Sequence, residues 1–295
     1  MEKFFKAKYF LILMIILLLT YIDVSGQNVK SFKVDVTGKG RPMILIPGLY
    51  SKGEVWNETV DHYKNKYECH VITLAGFAGE APYRDDSILF TVKEDLANYI
   101  KVKNLFKPVI LGHSAGAFIG LWLGSTYPDL TGPIVCVDGI PFLPAMQLPD
   151  ATSETSRDMG LNMKKFMSNV DTSMIRANQK MYLPTMISDT NRIKTVIEWA
   201  IASDPLTAGQ VMFEMYTTDL RKEIAGIKSP VLELGTWAAY KAYGATNESA
   251  INFLKDQFKE LPTAVIKVSD TSRHFIMYDD PEWMLTQIDE FLKDR

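Results

Sequence analysis

The stretch Val109–Gly124, VILGHSAGAFIGLWLG, decides the fold of this chain. Its apolar start, Val109–Leu111, predicts a buried strand, which stops at Gly112-His113-Ser114-Ala115-Gly116 and passes directly into a predicted helix. A serine at such a strand-to-helix reversal takes a strained backbone conformation that lifts its hydroxyl clear of the sheet. Ser114 is therefore the first candidate for a reactive side chain.

Small residues surround this serine. Gly112 and Gly116 lie two residues to either side of it, where a side chain would collide across the turn. The backbone N–H of Ala115, at the start of the helix, is well placed to hold an oxyanion. Because Gly116, Gly120 and Gly124 recur at every fourth position, one face of the helix is nearly bare, and we expect the helix to press close to the sheet.

The composition is that of a globular protein with a sizeable core. The chain has 295 residues, a formal charge of −3, 47% hydrophobic residues and 23% charged residues. Nothing in this balance indicates a nucleic-acid partner or an obligate protein partner.

The first 26 residues predict an export signal rather than part of the fold. Three lysines lie within the first eight residues, Tyr9–Ile22 is almost wholly apolar, and Val24-Ser25-Gly26 supplies small residues before Gln27. This apolar run is short for a membrane span, which needs about 20 residues. We expect cleavage of residues 1–26 and export to the periplasm or medium, with an uncleaved N-terminal membrane anchor as the alternative.

Apolar strands alternate with helical stretches over most of the remaining chain. The predicted strands are 31–36, 42–46, 69–74, 109–111, 134–137, 230–234 and 264–268. The predicted helices between them are 54–67, 91–104, 115–126, 247–259 and 281–292. Strands that are apolar throughout and alternate with helices imply an α/β fold, with a mostly parallel central sheet and helices on both faces. We assign this core to residues 27–140 and 229–295.

Residues 141–228 interrupt that alternation. They show no strand signal, only helical stretches rich in methionine, and we predict an inserted helical lid. Methionines at helical spacing are typical of core packing, but they also fit a lid whose underside contacts an apolar ligand. The two interpretations overlap, because a lid must pack on something.

A reactive serine needs a base within hydrogen-bond reach. His62 lies in an amphipathic helix, His70 in a strand, and His113 inside the turn with its side chain pointing away from the serine. His274 alone follows the last predicted strand, directly before the terminal helix. Position therefore selects His274.

At this point the chain resembles the α/β-hydrolase superfamily, specifically its lid-bearing serine-hydrolase branch. The motifs that resemble it, in order, are Leu45-Ile46-Pro47-Gly48-Leu49, Gly76-Phe77, the turn around Ser114, Arg273-His274-Phe275, Asp280-Pro281-Glu282 and Phe291-Leu292. The resemblance implies that Ser114 is the nucleophile and His274 the base. It also implies that the N–H groups of Leu49 and Ala115 form the oxyanion hole.

Two departures from the family pattern stand out. The family usually has His-Gly after its first core strand, where this chain has Pro47-Gly48. More seriously, the orienting acid usually follows the strand that corresponds to 230–234, and Gly235–Tyr240 contains no carboxylate.

Three carboxylates remain as candidates for the acid. Asp138 ends the strand after the Ser114 helix, and some family members carry their acid there. Glu233 lies within the late strand, and Asp219 resembles the family's structural aspartate, a helix cap. We predict Asp138, whose alternative role is to cap the turn into the lid.

These residues predict a carboxylesterase-like serine hydrolase that cleaves a small or medium ester. We expect Tyr50, Phe142, Trp237 and Tyr240 to line the substrate pocket, although each could equally be plain packing. No metal or cofactor pattern is present, so the predicted chemistry is cofactor-free. The alternatives are a perhydrolase, lyase or C–C bond hydrolase on the same Ser/His pair, or a catalytically silent binding or sensing relative, because the usual acid is missing.

Overall fold

The computed structural model describes residues 31–293 and residue 295. The predicted signal peptide, residues 1–26, lies outside the described residues, so export stays a prediction. Within the described part of the chain, no helix combines the length and the apolar character that crossing a membrane requires.

Seven strands form one sheet in the order β1-β3-β2-β4-β5-β6-β7. The strands are β1 (Phe32–Gly38), β2 (Arg41–Ile46), β3 (Tyr67–Leu74), β4 (Val109–His113), β5 (Ile134–Val137), β6 (Val231–Thr236) and β7 (Val265–Ser269). β1 pairs antiparallel with β3, and every other neighbouring pair is parallel. The predicted fold class, a mostly parallel sheet with helices around it, is confirmed.

Ten α helices surround or extend this sheet in the described part of the chain. They are α1 (Asn57–Tyr63), α2 (Ile88–Val102), α3 (Ala115–Thr126), α4 (Arg157–Ser168), α5 (Thr172–Met186), α6 (Thr190–Ile201), α7 (Pro205–Thr217), α8 (Asn247–Gln257), α9 (Ile276–Asp279) and α10 (Pro281–Leu292). Successive residues of β2 face opposite sides: Ile44 and Ile46 pack in one hydrophobic cluster, Met43 and Leu45 in another. The sheet is therefore buried on both faces.

Several element boundaries differ from the sequence prediction. The predicted helix 54–67 is a 3-10 turn, Gly53–Trp56, followed by the short α1, and β3 begins at Tyr67 rather than at residue 69. Tyr67 pairs with Arg41 of β2, which draws it into the sheet. Helix α2 begins at residue 88, three residues early, because the Glu214 carboxylate accepts the first two N–H groups of the helix. That cap comes from a distant helix, so no local pattern could reveal it.

The segment 141–228 contains helices α4–α7 and no strand. It contacts the loop after β3, where the N–H of Asp204 donates to the carbonyl of Gly76 at 2.7 Å. It also contacts the loop after β7, where the N–H of Phe275 donates to the carbonyl of Met186 at 3.1 Å. Because β3 and β7 end at the same edge of the sheet, these helices lie along its carboxyl edge. Movement of this segment as a lid stays a prediction.

Candidate active site

Three residues just beyond the ends of parallel strands have positive φ angles, a conformation that non-glycine residues rarely adopt. They are Tyr50 after β2 (φ 60°), Ser114 after β4 (φ 53°) and Asp138 after β5 (φ 46°). Strained residues of this kind concentrate at functional sites. The carboxyl edge of the sheet is therefore the candidate active site.

Glycines hold the turn around Ser114 tightly closed. A Cβ added to Gly112 would lie 2.4 Å from the carbonyl carbon of Gly116, and one added to Gly116 would lie 2.2 Å from the carbonyl oxygen of Ile46. Both contacts are with backbone atoms, so an alanine would force the turn itself to move. The turn can only form with small residues at these two positions.

The predicted base and the predicted acid meet. Nδ1 of His274 donates a hydrogen bond to Oδ2 of Asp138 at 2.6 Å, and the backbone N–H of Thr236 donates to Oδ1 at 3.2 Å. Only 17% of the His274 side chain and 13% of the Asp138 side chain are exposed. A proton held on Nδ1 leaves a lone pair on Nε2, the atom that a base at this position would use.

The backbone of Ser114 is hydrogen-bonded to the end of β5. Its N–H donates to the carbonyl of Val137 at 3.0 Å, directly before Asp138. The ring of its neighbour His113 lies 4.6 Å from the His274 ring, centroid to centroid. Among the described residues, no hydrogen bond joins the Ser114 hydroxyl to His274. Such contacts are often long in unliganded enzymes and tighten when substrate binds.

The next feature of the site is the pair of backbone N–H groups predicted to form the oxyanion hole. Neither the N–H of Leu49 nor that of Ala115 donates to an acceptor in the part of the chain that the structure describes. Ala115 opens α3, whose N-terminal end has a partial positive charge. A Cβ on Gly48 would lie 3.1 Å from the Cβ of Ser114, so the loop with Leu49 packs directly on the serine.

The other two candidate acids do not reach His274. Glu233 has no exposed surface, and neither carboxylate oxygen has a hydrogen-bond partner among the described residues. The N–H of Gly139 lies nearby and favours the charged form without completing a hydrogen bond. Burial, reinforced by the charge of Asp138, raises the pKa of Glu233 well above its usual range. Asp219 instead accepts hydrogen bonds from the guanidinium of Arg221.

His113 has a part that the sequence did not reveal. It is buried, and burial together with the charge of His274 lowers its pKa well below the usual value, so the ring is neutral. Its Nε2–H donates to the backbone carbonyl of His274 at 3.1 Å. The sequence did not select His113 as the base, and only its position beside Ser114 hinted at its contact with the backbone of His274.

Two of the four predicted pocket residues lie beside the candidate catalytic groups. Tyr50 follows Leu49 and packs edge-on against Phe77, with ring centroids 6.1 Å apart, and burial raises its pKa to about 12. Burial, and then the charge of Asp138, raises the pKa of Tyr240.

The other two are placed differently. Nε1 of Trp237 donates to Asp270 at 3.0 Å, which ties this ring to the loop after β7. Phe142 is 0% exposed and packs in a small cluster with Ala145 and Ala151. Such burial favours a core role for Phe142, and its contact with substrate stays a prediction that the structure does not support.

No group of three or more histidine, cysteine, aspartate or glutamate side chains suited to holding a metal occurs within residues 31–293.

Comparison with known proteins identifies the family of this chain. A family model described as alpha/beta hydrolase fold matches residues 41–194, just over half of the chain. A pimeloyl-(acyl-carrier protein) methyl ester esterase of Vibrio vulnificus (strain YJ016) is 23% identical over 266 residues, 86% of this chain and 95% of the relative. The corresponding esterase of Vibrio atlanticus (strain LGP32) is 23% identical over 213 residues, 68% of this chain and 76% of the relative.

Solved structures share the fold. A hydrolase from Oleispira antarctica superposes with a TM-score of 0.73 at 16% identity, covering 92% of this chain and 97% of that one. The family match, the order of the strands and the turn at Ser114 agree with one another. The chain belongs to the α/β-hydrolase fold family, and it is a hydrolase.

Proposed function

We propose that this protein is a serine esterase that cleaves a small or medium carboxylic ester through an acyl-enzyme on Ser114. The observation that supports this most is the 2.6 Å hydrogen bond from His274 to Asp138, formed beside the strained turn that presents Ser114. The names of the similar Vibrio enzymes support a carboxylic ester as the substrate class.

In the first half of the proposed reaction, Nε2 of His274 takes the proton of the Ser114 hydroxyl as the oxygen attacks the ester carbonyl. Asp138 holds the ring in the tautomer with its proton on Nδ1 and stabilises the imidazolium that forms. The N–H groups of Leu49 and Ala115 donate to the oxyanion. Collapse of the tetrahedral intermediate expels the alcohol, which receives its proton from His274.

In the second half, water attacks the acyl-enzyme, and His274 accepts a proton from that water. The carboxylic acid then leaves, and Ser114 recovers its proton. Every proton in this cycle passes through one imidazole nitrogen, so the reaction depends on how firmly His274 is held.

Replacement of the serine tests this proposal. We expect Ser114→Ala to reduce kcat for short p-nitrophenyl esters by about 10⁶-fold, to the background rate, because the nucleophile is lost. Ser125→Ala is the matched control. It removes a helix hydroxyl that donates to the carbonyl of Trp122 and has no other hydrogen-bond partner within residues 31–293, so the rate should be kept. Circular dichroism checks that both variants are folded.

Unchanged ester turnover in Ser114→Ala would refute the mechanism. Product analysis on peracid, diketone and ester substrates separates an esterase from a perhydrolase, a lyase or a C–C bond hydrolase on the same pair. If the protein turns over only a non-ester substrate, the Ser/His pair is retained and the substrate class is wrong.

A further inference from the structure

Residues 184–188, the last three residues of α5 and the first two of its connection to α6, are hydrogen-bonded to the chain on both sides of His274. We call this segment the α5–α6 turn. On one side, Nη1 of Arg273 donates to the carbonyl of Pro184 at 2.6 Å and to that of Ile187 at 2.9 Å. On the other side, the N–H of Phe275 donates to the carbonyl of Met186 at 3.1 Å. Both neighbours of the proposed base are therefore fixed to one short turn of the helical segment.

The carboxylate of Asp279 also joins the α5–α6 turn to the chain before His274. Its Oδ2 accepts the N–H of Arg273 at 3.0 Å, and its Oδ1 accepts both the N–H and the hydroxyl of Ser188 at 2.8 Å. Asp279 thus holds the beginning of the His274 loop and the end of the α5–α6 turn together.

Apolar packing supports these polar contacts. Ile187 is 0% exposed and Phe275 is 4% exposed, and both belong to the hydrophobic cluster on one face of the sheet. The turn therefore rests on the core, so its carbonyls offer Arg273 a fixed position.

The chemistry of the contact favours arginine at position 273. The last carbonyls of a helix lack intrahelical partners, and they lie at the negative end of the helix dipole. Helix α5 has no basic residue in its own last turn. The guanidinium of Arg273 supplies the missing positive charge from another part of the chain, and the two hydrogens on its Nη1 reach two carbonyls at once.

We infer that Arg273 is a positioning residue for His274, which couples the placement of the proposed base to the α5–α6 turn. This inference rests on the proposed function of His274. The ring is oriented through Asp138 and the His274 carbonyl is held by His113, whereas Arg273 fixes the chain immediately before the ring. Loss of its side chain leaves the partners of the ring and the backbone hydrogen bonds of the loop in place, but it removes two of the hydrogen bonds that hold the loop to the α5–α6 turn.

Two variants at this position test the inference. We expect Arg273→Met, which keeps a long apolar side chain but removes the donors, to lower kcat for a p-nitrophenyl ester by about 10- to 100-fold with KM nearly unchanged. Misplacing the base slows the chemical step without removing a substrate contact. Arg273→Lys should recover part of the loss, because an ammonium can reach one of the two carbonyls.

Arg176→Met is the matched control, and it lies in α5, the helix whose end Arg273 contacts. Arg176 also makes a charged hydrogen bond, to Glu198 of α6 at 2.7 Å, but it does not contact the His274 loop in the structure as described. We expect its kcat to stay within about twofold of wild type, the range for a surface pair. All rates are divided by the concentration of active sites, titrated with a fluorophosphonate, so that a poorly folded fraction does not count as slow chemistry.

The outcomes separate this inference from the proposed function. If the wild-type protein hydrolyses the ester and His274→Ala does not, but Arg273→Met and Arg273→Lys keep the wild-type kcat per active site, the positioning role is overturned. If Arg273→Met raises KM and leaves kcat unchanged, Arg273 affects substrate binding instead, and the inference is equally overturned. If the wild-type protein neither hydrolyses esters nor reacts with the fluorophosphonate, the proposed function itself fails.

Discussion

The loops that follow β5 and β6 lie side by side at the edge of the sheet, and they differ in what they offer His274. The loop after β5 begins with Asp138, whose carboxylate accepts a hydrogen bond from Nδ1 of His274. The loop after β6 has no carboxylate, and Thr236, the last residue of β6, contributes its N–H as a second donor to Asp138. Adjacent parallel strands end at the same edge, so either loop can place an acid beside the base. The difference teaches that the acid's position at this edge matters more than the strand that carries it.

Two carboxyl groups in the same neighbourhood show a second contrast. Asp138 lies beyond the end of β5, where it has two hydrogen-bond donors and some contact with solvent. Glu233 lies within β6, fully buried and without a partner among the described residues. One carboxyl is equipped to hold a negative charge beside an imidazolium, whereas the other is in a place that opposes any charge.

The largest effect should come from removing the charge of the acid after β5. We expect Asp138→Asn to reduce kcat for ester hydrolysis by about 10⁴-fold, because an amide can hold His274 in the wrong tautomer. Steady-state kinetics on a short p-nitrophenyl ester measure it. A wild-type rate in this variant would show that the loop after β5 does not supply the acid.

A smaller effect should follow from adding one methyl group directly after Asp138. A Cβ on Gly139 would lie 2.2 Å from the Cβ of Ala117 and 2.9 Å from the carbonyl oxygen of Ser114, so Gly139→Ala must displace the chain next to Asp138. We expect its kcat to fall by about 10²-fold, the cost of a misplaced catalytic group.

Gly235→Ala is the comparison in the neighbouring strand. A Cβ on Gly235 would lie 2.4 Å from Cδ1 of Leu254, which is the end of a flexible side chain that can turn away. Its kcat should therefore stay close to wild type. Equal losses in the two variants would mean that the loop after β5 has no special place in the site.

The smallest effect on activity, and a distinct effect on stability, should come from Glu233→Gln. Burial raises the pKa of Glu233 in the folded protein, so the folded state binds more protons than the unfolded state above the ordinary value of 4.5. Stability of the wild type is therefore lost as pH rises from that value toward the pKa of the folded state. The variant has no proton to lose there.

Urea unfolding at a series of pH values from about 5 to 8 measures this difference. We expect the free energy of unfolding of Glu233→Gln to exceed that of the wild type by an amount that grows as pH rises. Its kcat should stay within about twofold of wild type, since Glu233 does not contact His274. A flat difference across this range would show that Glu233 is not held in its neutral form.

The sequence predicted the fold, which is confirmed, and it selected two of the candidate site residues from strong local signals. The apolar runs marked the parallel strands, and the glycines around Ser114 marked a turn that only small residues permit. His274 was selected by its place after the last strand. These signals are local, so they can be recognised without knowledge of the contacts between distant segments.

The remaining parts depend on contacts between distant residues. We predict Asp138 from its place after β5, but its contact with His274 and the burial of Glu233 depend on how the strands pair. The roles of His113 and Arg273 arise from hydrogen bonds to backbone carbonyls, and no periodic pattern records these. Phe142 looked like a pocket residue because it is aromatic and close to the end of β5, yet its ring packs into a small core.

The comparison of the two carboxyl groups is tested most directly by the rate at which a fluorophosphonate modifies Ser114, with the adduct located by mass spectrometry. We expect labelling of the Ser114 peptide in the wild type, at nearly the same rate in Glu233→Gln and slower by orders of magnitude in Asp138→Asn. Equal rates in all three proteins, or slowing only in Glu233→Gln, would contradict the assignment of Asp138 as the acid that orients His274.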